Sequence, residues 1–458
     1  MIKFNYKSCQ KGRGFLTTYI GGIMQENEII KIAKKLEKTG GKLYLVGGAV
    51  RDKLLGKSIH DEDYCVTGIT ADKFKKIFPK AHIKGKAFEV FEMYGKEFAI
   101  ARTEAKDGVG HKQFKIKTST SITIEQDLQR RDITINSIAQ DVLTGKIIDP
   151  FNGKKDIENK IIKATTQAFR DDPLRVYRVA RFAAQLGFKV EDQTLKQMTE
   201  LKKELDTLSG ERVFEELKKV LDTQKPSIFF EVLKKANVLD VHFKEINDLI
   251  NAEQPIQYHP EGDAYNHTML VLDKAAELTV NYPINRRLEI RFSALVHDLG
   301  KGTTPKEQYP HHYGHEERGI KLVESLGRKI KLPNDWIKCG KIACREHMRG
   351  GIFYKMKPAK KVEFIERISR SLLGLDGLQI VVISDKTSGG RSYKTDEINF
   401  EKIGNECLKR INGKYIKNKY NLQPGIQLGN KLHEERIEYI KRLSKTQVYL
   451  TTIEGENK

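Results

Sequence analysis

Asp61 and Asp63, two carboxylates separated by one residue, lie in an extended stretch that closes a strand, glycine and helix unit running from Leu43 to Gly68. Residues two apart on a strand leave the same face, so these carboxylates can share divalent cations that bridge the phosphates of a nucleotide. Upstream, the apolar run Leu43 to Val46 is broken by Gly47-Gly48 and followed by the helix-permissive Ala49 to Leu55. Paired glycines let backbone N–H groups approach a phosphate with no Cβ in the way, and the helix that follows them adds its positive end to the attraction. Arg51, in the first turn, offers a planar fork of donors for phosphate oxygens. Alone, a glycine pair reads as a turn and Asp-x-Asp as solvated charge. An anion cradle followed by a carboxylate pair reads instead as phosphoryl or nucleotidyl transfer.

A second set of charged residues begins at Asp171-Asp172-Pro173, a helix start in which Asp caps free N–H groups and Pro suits the first turn. Asp172, Arg175, Arg178 and Arg181 recur every third residue and so share one side of that helix, with Leu174, Tyr177 and Ala184 on the apolar side. The bland alternative is an amphipathic helix with a basic, solvated face. A third set is made of histidines. His267, His297, His311, His312, His315 and His347 are half of the chain's 12, and His297-Asp298, closing the apolar segment RFSALVHDLGK, joins two metal-ligand types. With His267 on the preceding helix and His347 downstream, these residues are candidate ligands for a transition metal.

The elements that position these groups divide the chain. From 25 to 164 strands alternate with short helices: Phe88 to Tyr94 and Glu97 to Ala101 pair across Gly95-Lys96, and Val142 to Asp149 reads as another strand. Arg130-Arg131-Asp132 opens a helix-like segment containing Asn136. The stretch Thr103 to Glu125, rich in Lys, Gly, Ser and Thr, has no periodicity and reads as a long functional loop. Helical signals take over from Thr165. The fold class is therefore α+β, a mixed-sheet head followed by an all-helical remainder.

The 458 residues allow several domains, each with its own core. A net charge of +21 without one dominating basic tail favours a polyanionic partner, RNA or DNA first. Five scattered cysteines without a CxxC pair suit a reducing cytoplasm and not a structural zinc site. No apolar stretch is long enough to span a bilayer, so no membrane role is expected.

The order GG-x-x-RD then D-x-D resembles the polymerase-β-like nucleotidyltransferases. RRDITINSIAQD (130–141), RDDPLRVYRVARFAAQLGF (170–188) and GERVFEELKK (210–219) resemble successive motifs of the class II bacterial CCA-adding tRNA nucleotidyltransferases, and from His267 onward the chain resembles an HD phosphohydrolase domain. The resemblance implies a nucleotidyltransferase head, a helical neck and body, and a helical HD domain. It implies tRNA, CTP and ATP as partners and two Mg²⁺ on catalytic Asp61 and Asp63. It assigns Gly48, Arg51, Arg131, Arg178 and Arg181 to the nucleotide, with Arg130 and Asn136 beside them, and Asp172 and Arg175 to reading its base. His267, His297, Asp298 and His347 would form the HD metal site. Alignment on Gly390-Arg391 puts Thr387 where the HD family has a distal Asp, with Asp385 on another face, which predicts weak or absent phosphohydrolase activity.

The expected organisation is a flexible extension (1–24), the head (25–164), a neck and body (165–262), the HD domain (263–398) and a basic helical tail (399–458). The expected activity is template-independent addition or repair of the tRNA 3′-terminal CCA with release of pyrophosphate. The alternatives are a bacterial poly(A) polymerase, a chain that is chiefly an HD phosphohydrolase with a degenerate head, and a non-catalytic RNA-binding protein.

Overall fold

The computed structural model of the chain describes residues 27–59, 61–84, 90–106, 114–390 and 399–455; the expected extension at 1–24 lies outside them. The chain falls into two compact units, residues 1–183 with 187–208, and residues 184–186 with 209–458. The helix Leu174–Leu186, which carries the arginine stripe, thus belongs up to Ala183 with the sheet.

The first unit is built on strands β1 (Lys42–Val46), β2 (Asp63–Thr67), β3 (His82–Lys84), β4 (Val90–Met93), β5 (Lys96–Ile100), β6 (Arg102–Lys106), β7 (Phe114–Thr118), β8 (Ala139–Asp141) and β9 (Ile147–Ile148). Seven of them form one mixed sheet in the order β3-β4-β5-β2-β1-β8-β9. Within it β2 and β5 run parallel, while β1 runs antiparallel to both β2 and β8. Alternation along β2 separates two layers. Tyr64 stacks on Phe98 on the face where the helix Ala71–Ile77 inserts Phe74 against Phe91. Cys65 packs on the other face with Tyr44, Val46, Ile124, Leu128 and Ala139.

Three local expectations are corrected. Of the stretch expected as a loop from Thr103 to Glu125, residues 107–113 lie outside those described; the ribbon β6–β7 flanks them, and the helix Ile124–Gln129 begins at the end of the stretch, held by a capping box at Thr123 and Gln126. The segment after Arg130 forms a 3₁₀ turn, Thr134–Asn136, because β-branched Ile133 and Ile135 are fully buried and Ser137 Oγ donates to the Ile133 carbonyl. The strand expected over Val142 to Asp149 is a hairpin. Asp141 Oδ1 accepts from the N–H groups of Leu143 and Thr144, closing an Asx turn that returns as β9.

The second unit is helical among its described residues. The helices Ala264–Leu278, Ile284–Val296, Asn334–Gly351 and Gly374–Thr387 enclose a core that includes Val271, Ile290, Ala294, Ala343, Leu378 and Val381. The stretch 399–443 packs onto it. Phe400, Cys407 and Ile440 are buried in the same core, and Arg436 donates to the Ile411 carbonyl and pairs with Glu366. No described helix is long and apolar enough to cross a membrane.

Candidate active site and metal centre

In the head, Gly47 ends β1 with φ +71°, a conformation that favours glycine, and a Cβ there would lie 2.9 Å from Arg131 Nη1. Its own N–H is spent on the Ile138 carbonyl at 3.2 Å, so Gly48 and the residues after it are left to face an anion. Arg51 does not reach out as an open fork. It is buried, its Nη1 donates to Asn136 Oδ1 at 2.7 Å, and its Nε and Nη2 lie 2.9 and 2.8 Å from Asp52 Oδ1.

Asp63 opens β2, and Asp61 lies just before the strand instead of within it. Both are exposed. Alternation places Asp63 with Cys65, on the face of the helix Ile124–Gln129 and of Arg131, whereas Glu62 turns to Tyr64 and Lys96. Desolvation by the protein beneath it pushes the Asp63 carboxyl up; Arg131 pulls it down, and Glu97 and Asp61 push it up again. Glu97 is the register partner of Asp63 on the parallel β5, a third carboxylate that the sequence reading missed. Arg131 is steered by a single buried anion. Asp127 receives Arg131 Nη2 at 3.3 Å through Oδ2, and Arg130 Nη2 at 2.8 Å and the Arg102 N–H at 3.3 Å through Oδ1. The spacing of Asp127 to Arg130 and Arg131, three and four residues, was the available signal.

The arginine stripe is not a solvated face. Arg175 is buried and donates through Nη1 to the Ala168 carbonyl at 2.5 Å and through Nη2 to the Arg130 carbonyl at 2.6 Å. Arg178 Nε donates to Asp132 Oδ2 at 2.7 Å. Arg51, Arg178 and Arg181 surround the Phe182 ring, with Arg181 closest at 4.0 Å. Asp172 is half-buried, and its Oδ1 accepts from the Leu174 N–H at 3.0 Å.

The second centre lies entirely in the helical unit. His267, His297, Asp298, His315, His347 and Asp385 are all buried. His297 Nδ1 lies 2.8 Å from the Ala294 carbonyl, His315 Nδ1 2.8 Å from the His312 carbonyl and His347 Nδ1 2.9 Å from the Ala343 carbonyl. A carbonyl only accepts, so each Nδ1 carries a proton and each ring turns its Nε2 inward, the atom that a metal would take. These nitrogens converge on Asp298: His315 and His347 Nε2 each stand 3.3 Å from Oδ1, and His297 Nε2 stands 3.2 Å from Oδ2. His315 and His347 Nε2 face each other at 3.4 Å. His297 Nε2 and Asp298 Oδ1 have no hydrogen-bond partner among the described residues. Buried nitrogen and oxygen atoms gathered this way fit a cation, and the imidazole and carboxylate set suits a transition metal.

His267 completes the group differently. Its Nε2 is 3.1 Å from Asp385 Oδ1, and its Nδ1 is 2.7 Å from Glu261 Oε1. Asp385 is therefore the distal carboxylate, correcting the expectation for Thr387, whose hydroxyl donates to the Ile383 carbonyl away from the centre. His315, Asp385 and the orienting Glu261 were missing from the expected ligand set. Gly300, two residues after Asp298, is required because a Cβ would fall on the His315 carbonyl, so only glycine lets the two elements meet.

Three family models match in order: poly A polymerase head domain over 43–163, probable RNA and SrmB-binding site of polymerase A over 187–250, and HD domain over 264–369. A multifunctional CCA protein of Haemophilus influenzae is 47% identical over 67% of this chain and 74% of its own length. One from Xylella fastidiosa is 37% identical over 89% of this chain and 98% of its own. The chain belongs to the CCA-adding tRNA nucleotidyltransferase family. Solved CCA-adding enzymes share the fold: one in complex with ATP has a TM-score of 0.62 at 19% identity over 93% of this chain and 94% of that one. The Thermotoga maritima enzyme complexed with tRNA has a TM-score of 0.58 at 21% identity over 90% of each. In this CCA-adding nucleotidyltransferase Asp61 and Asp63 fall within the matched head, and Asp385 lies beyond the residues that the HD model spans, 264–369.

Proposed function

We propose that the chain adds or repairs the 3′-terminal CCA of tRNA from CTP and ATP, releasing pyrophosphate, with two Mg²⁺ on Asp61 and Asp63. The observation that carries this reading is the placement of Asp63 on the Arg131 face of β2, beside the Gly47-Gly48 turn. Two exposed carboxylates offer hard oxygen donors of the kind Mg²⁺ takes, with Glu97 on the neighbouring strand. Such cations lower the pKa of an attacking hydroxyl and neutralise phosphate charge. The protein's part is positional. Gly48 offers backbone to the phosphates, Arg131 and Arg178 are partly exposed toward them, and buried Arg51 and Arg181 add fixed positive field. Asp172 accepts from the exocyclic amine of C or A. Arg175 donates to the ring nitrogen once its bonds to the Ala168 and Arg130 carbonyls are exchanged. The solved CCA-adding enzymes in complex with ATP, with CTP and with tRNA support the same partners here. A tRNA substrate puts the enzyme in the cytoplasm, and the boundaries given above remain our division into extension, head, neck, HD domain and tail. Incubation with tRNA lacking CCA and each nucleotide singly and together, followed by sequencing of the 3′ ends, tests the reading. Long tails from ATP alone would make it a poly(A) polymerase instead.

Asp385 favours a second reading, that the HD centre hydrolyses phosphoesters. The expectation of weak activity rested on Thr387, and that ground is gone. His297, Asp298, His315, His347, His267 and Asp385 would hold the cation, which when bound polarises a phosphoryl oxygen and supplies hydroxide near neutral pH. Lys301, whose Nζ lies 2.6 Å from Asp298 Oδ2, fixes that carboxylate from the side.

A further inference from the structure

The metal centre opens into a cleft of about 760 Å³ whose mouth is aromatic. Ligand pockets run from roughly 300 to 1,000 Å³, so the cleft has room for a molecule well beyond a lone phosphate. Its floor is Asp298, His315, His347 and Asp385, and Lys301 and Lys386 stand beside them. Tyr313 is 75% exposed and Tyr258 62% exposed at its rim. Tyr313 does not project at random: its ring lies on His311 at 5.6 Å between centroids and 23° between planes. Large exposed aromatics cost free energy in water, and two of them at the rim of a metal-ligating floor form a surface for a flat ring.

Resting on the hydrolytic reading of the HD centre, we propose that Tyr313, backed by His311 at the rim that Tyr258 also lines, is a stacking platform for the nucleobase of the phosphoester held at that centre. A phosphate drawn to the floor by Lys301, Lys386 and a cation held by the metal ligands would leave its nucleoside toward the mouth, where every base presents a π-face. Because stacking reads no base edge, the platform accepts any base, in contrast to the choosing head. The platform sets KM and takes no part in bond breaking.

The test uses the full chain loaded with Ni²⁺, with guanosine 5′-monophosphate and ribose 5-phosphate as paired substrates. Guanine is chosen because its pairing edge reverses the donor and acceptor that Asp172 and Arg175 are read as matching in C and A. Y313A should raise KM for the nucleotide about 5- to 10-fold, within the range for loss of one base stack, and leave kcat and the ribose 5-phosphate kinetics unchanged. Y313W should restore the nucleotide KM. An unchanged nucleotide KM in Y313A, or an equal loss on both esters, overturns the platform. If the wild-type chain hydrolyses neither ester, the hydrolytic reading fails by itself, and calorimetric binding of the two esters decides the platform: a Y313A loss confined to guanosine 5′-monophosphate supports it, and no difference overturns it. The same ratio on an oligoribonucleotide with a terminal phosphate separates a free nucleotide from an RNA end as the source of the base; a base-dependent loss on either supports the proposal.

Discussion

Asp132 shows how one side chain ties the arginine helix to the head. Burial pushes its carboxyl up, but Arg178 and Arg175 outweigh that and hold it down to about 2. A depressed folded-state pKa contributes stability in full above the unfolded value of roughly 3.9, and that contribution fades as pH falls toward 2. Asp132→Asn should therefore lower the stability of the first unit at neutral pH by about 1–2 kcal/mol and flatten its acid limb between pH 4 and 2, as read by melting at each pH. An unchanged acid limb would mean that the Arg178 pair carries no net energy. At the transfer site, Asp61→Asn and Asp63→Asn should each reduce C and A addition roughly 100-fold or more with the fold intact. Near-normal turnover in either would place the chemistry elsewhere. At the second centre, Glu261→Gln keeps the shape but weakens the acceptor that orients His267. Metal affinity measured by calorimetry should fall about 10- to 100-fold, as for other outer-shell partners, and an unaltered affinity would show that the His267 ring needs no such guide.

The helix Leu174–Leu186 separates two accounts of Asp172. If that carboxylate reads the base, Asp172→Ala should weaken C and A incorporation together and narrow the gap to U and G, since a matched bidentate contact is worth about 1–3 kcal/mol. If it only receives the Leu174 N–H, the variant should lose about 0.5–2 kcal/mol of stability with base choice unchanged. Incorporation of all four nucleotides beside the melting temperature tells them apart. Elements whose pattern was physical were legible from sequence: the strand before Gly47, the β4–β5 pair across Gly95-Lys96 and the capped arginine helix all appear. The failures have causes too. In the β6–β7 stretch the only apolar alternation is the short Phe114-Lys115-Ile116 run, set among Lys, Gly, Ser and Thr, so two paired strands read as a loop. The helix Gly374–Thr387 is buried nearly all round from Leu375 to Val382, so its periodicity marked no face and left the choice between Thr387 and Asp385 to an alignment. Which carbonyls hold Arg175, and that Asp127 gathers Arg130, Arg131 and the Arg102 N–H, depends on three-dimensional closure that spacing only hints at.

Over the whole molecule the net charge of +21 makes binding to tRNA a matter of counterion release. The logarithm of affinity should fall linearly with the logarithm of salt, losing about 0.7 to 0.9 in slope for each phosphate neutralised. A flat line in a filter-binding titration would leave the charge without a role in recognition. The two compact units, each with its own buried core, should also unfold as more than one transition, so a single cooperative calorimetric peak would contradict that division. Their covalent continuity has a consequence for regulation. A cell that makes this chain makes one transferase centre and one histidine-rich centre per polypeptide, at every expression level. No change in transcription or translation can alter that ratio, so any adjustment between the two must act on the finished protein, through the supply of nucleotides to one centre or of metal to the other.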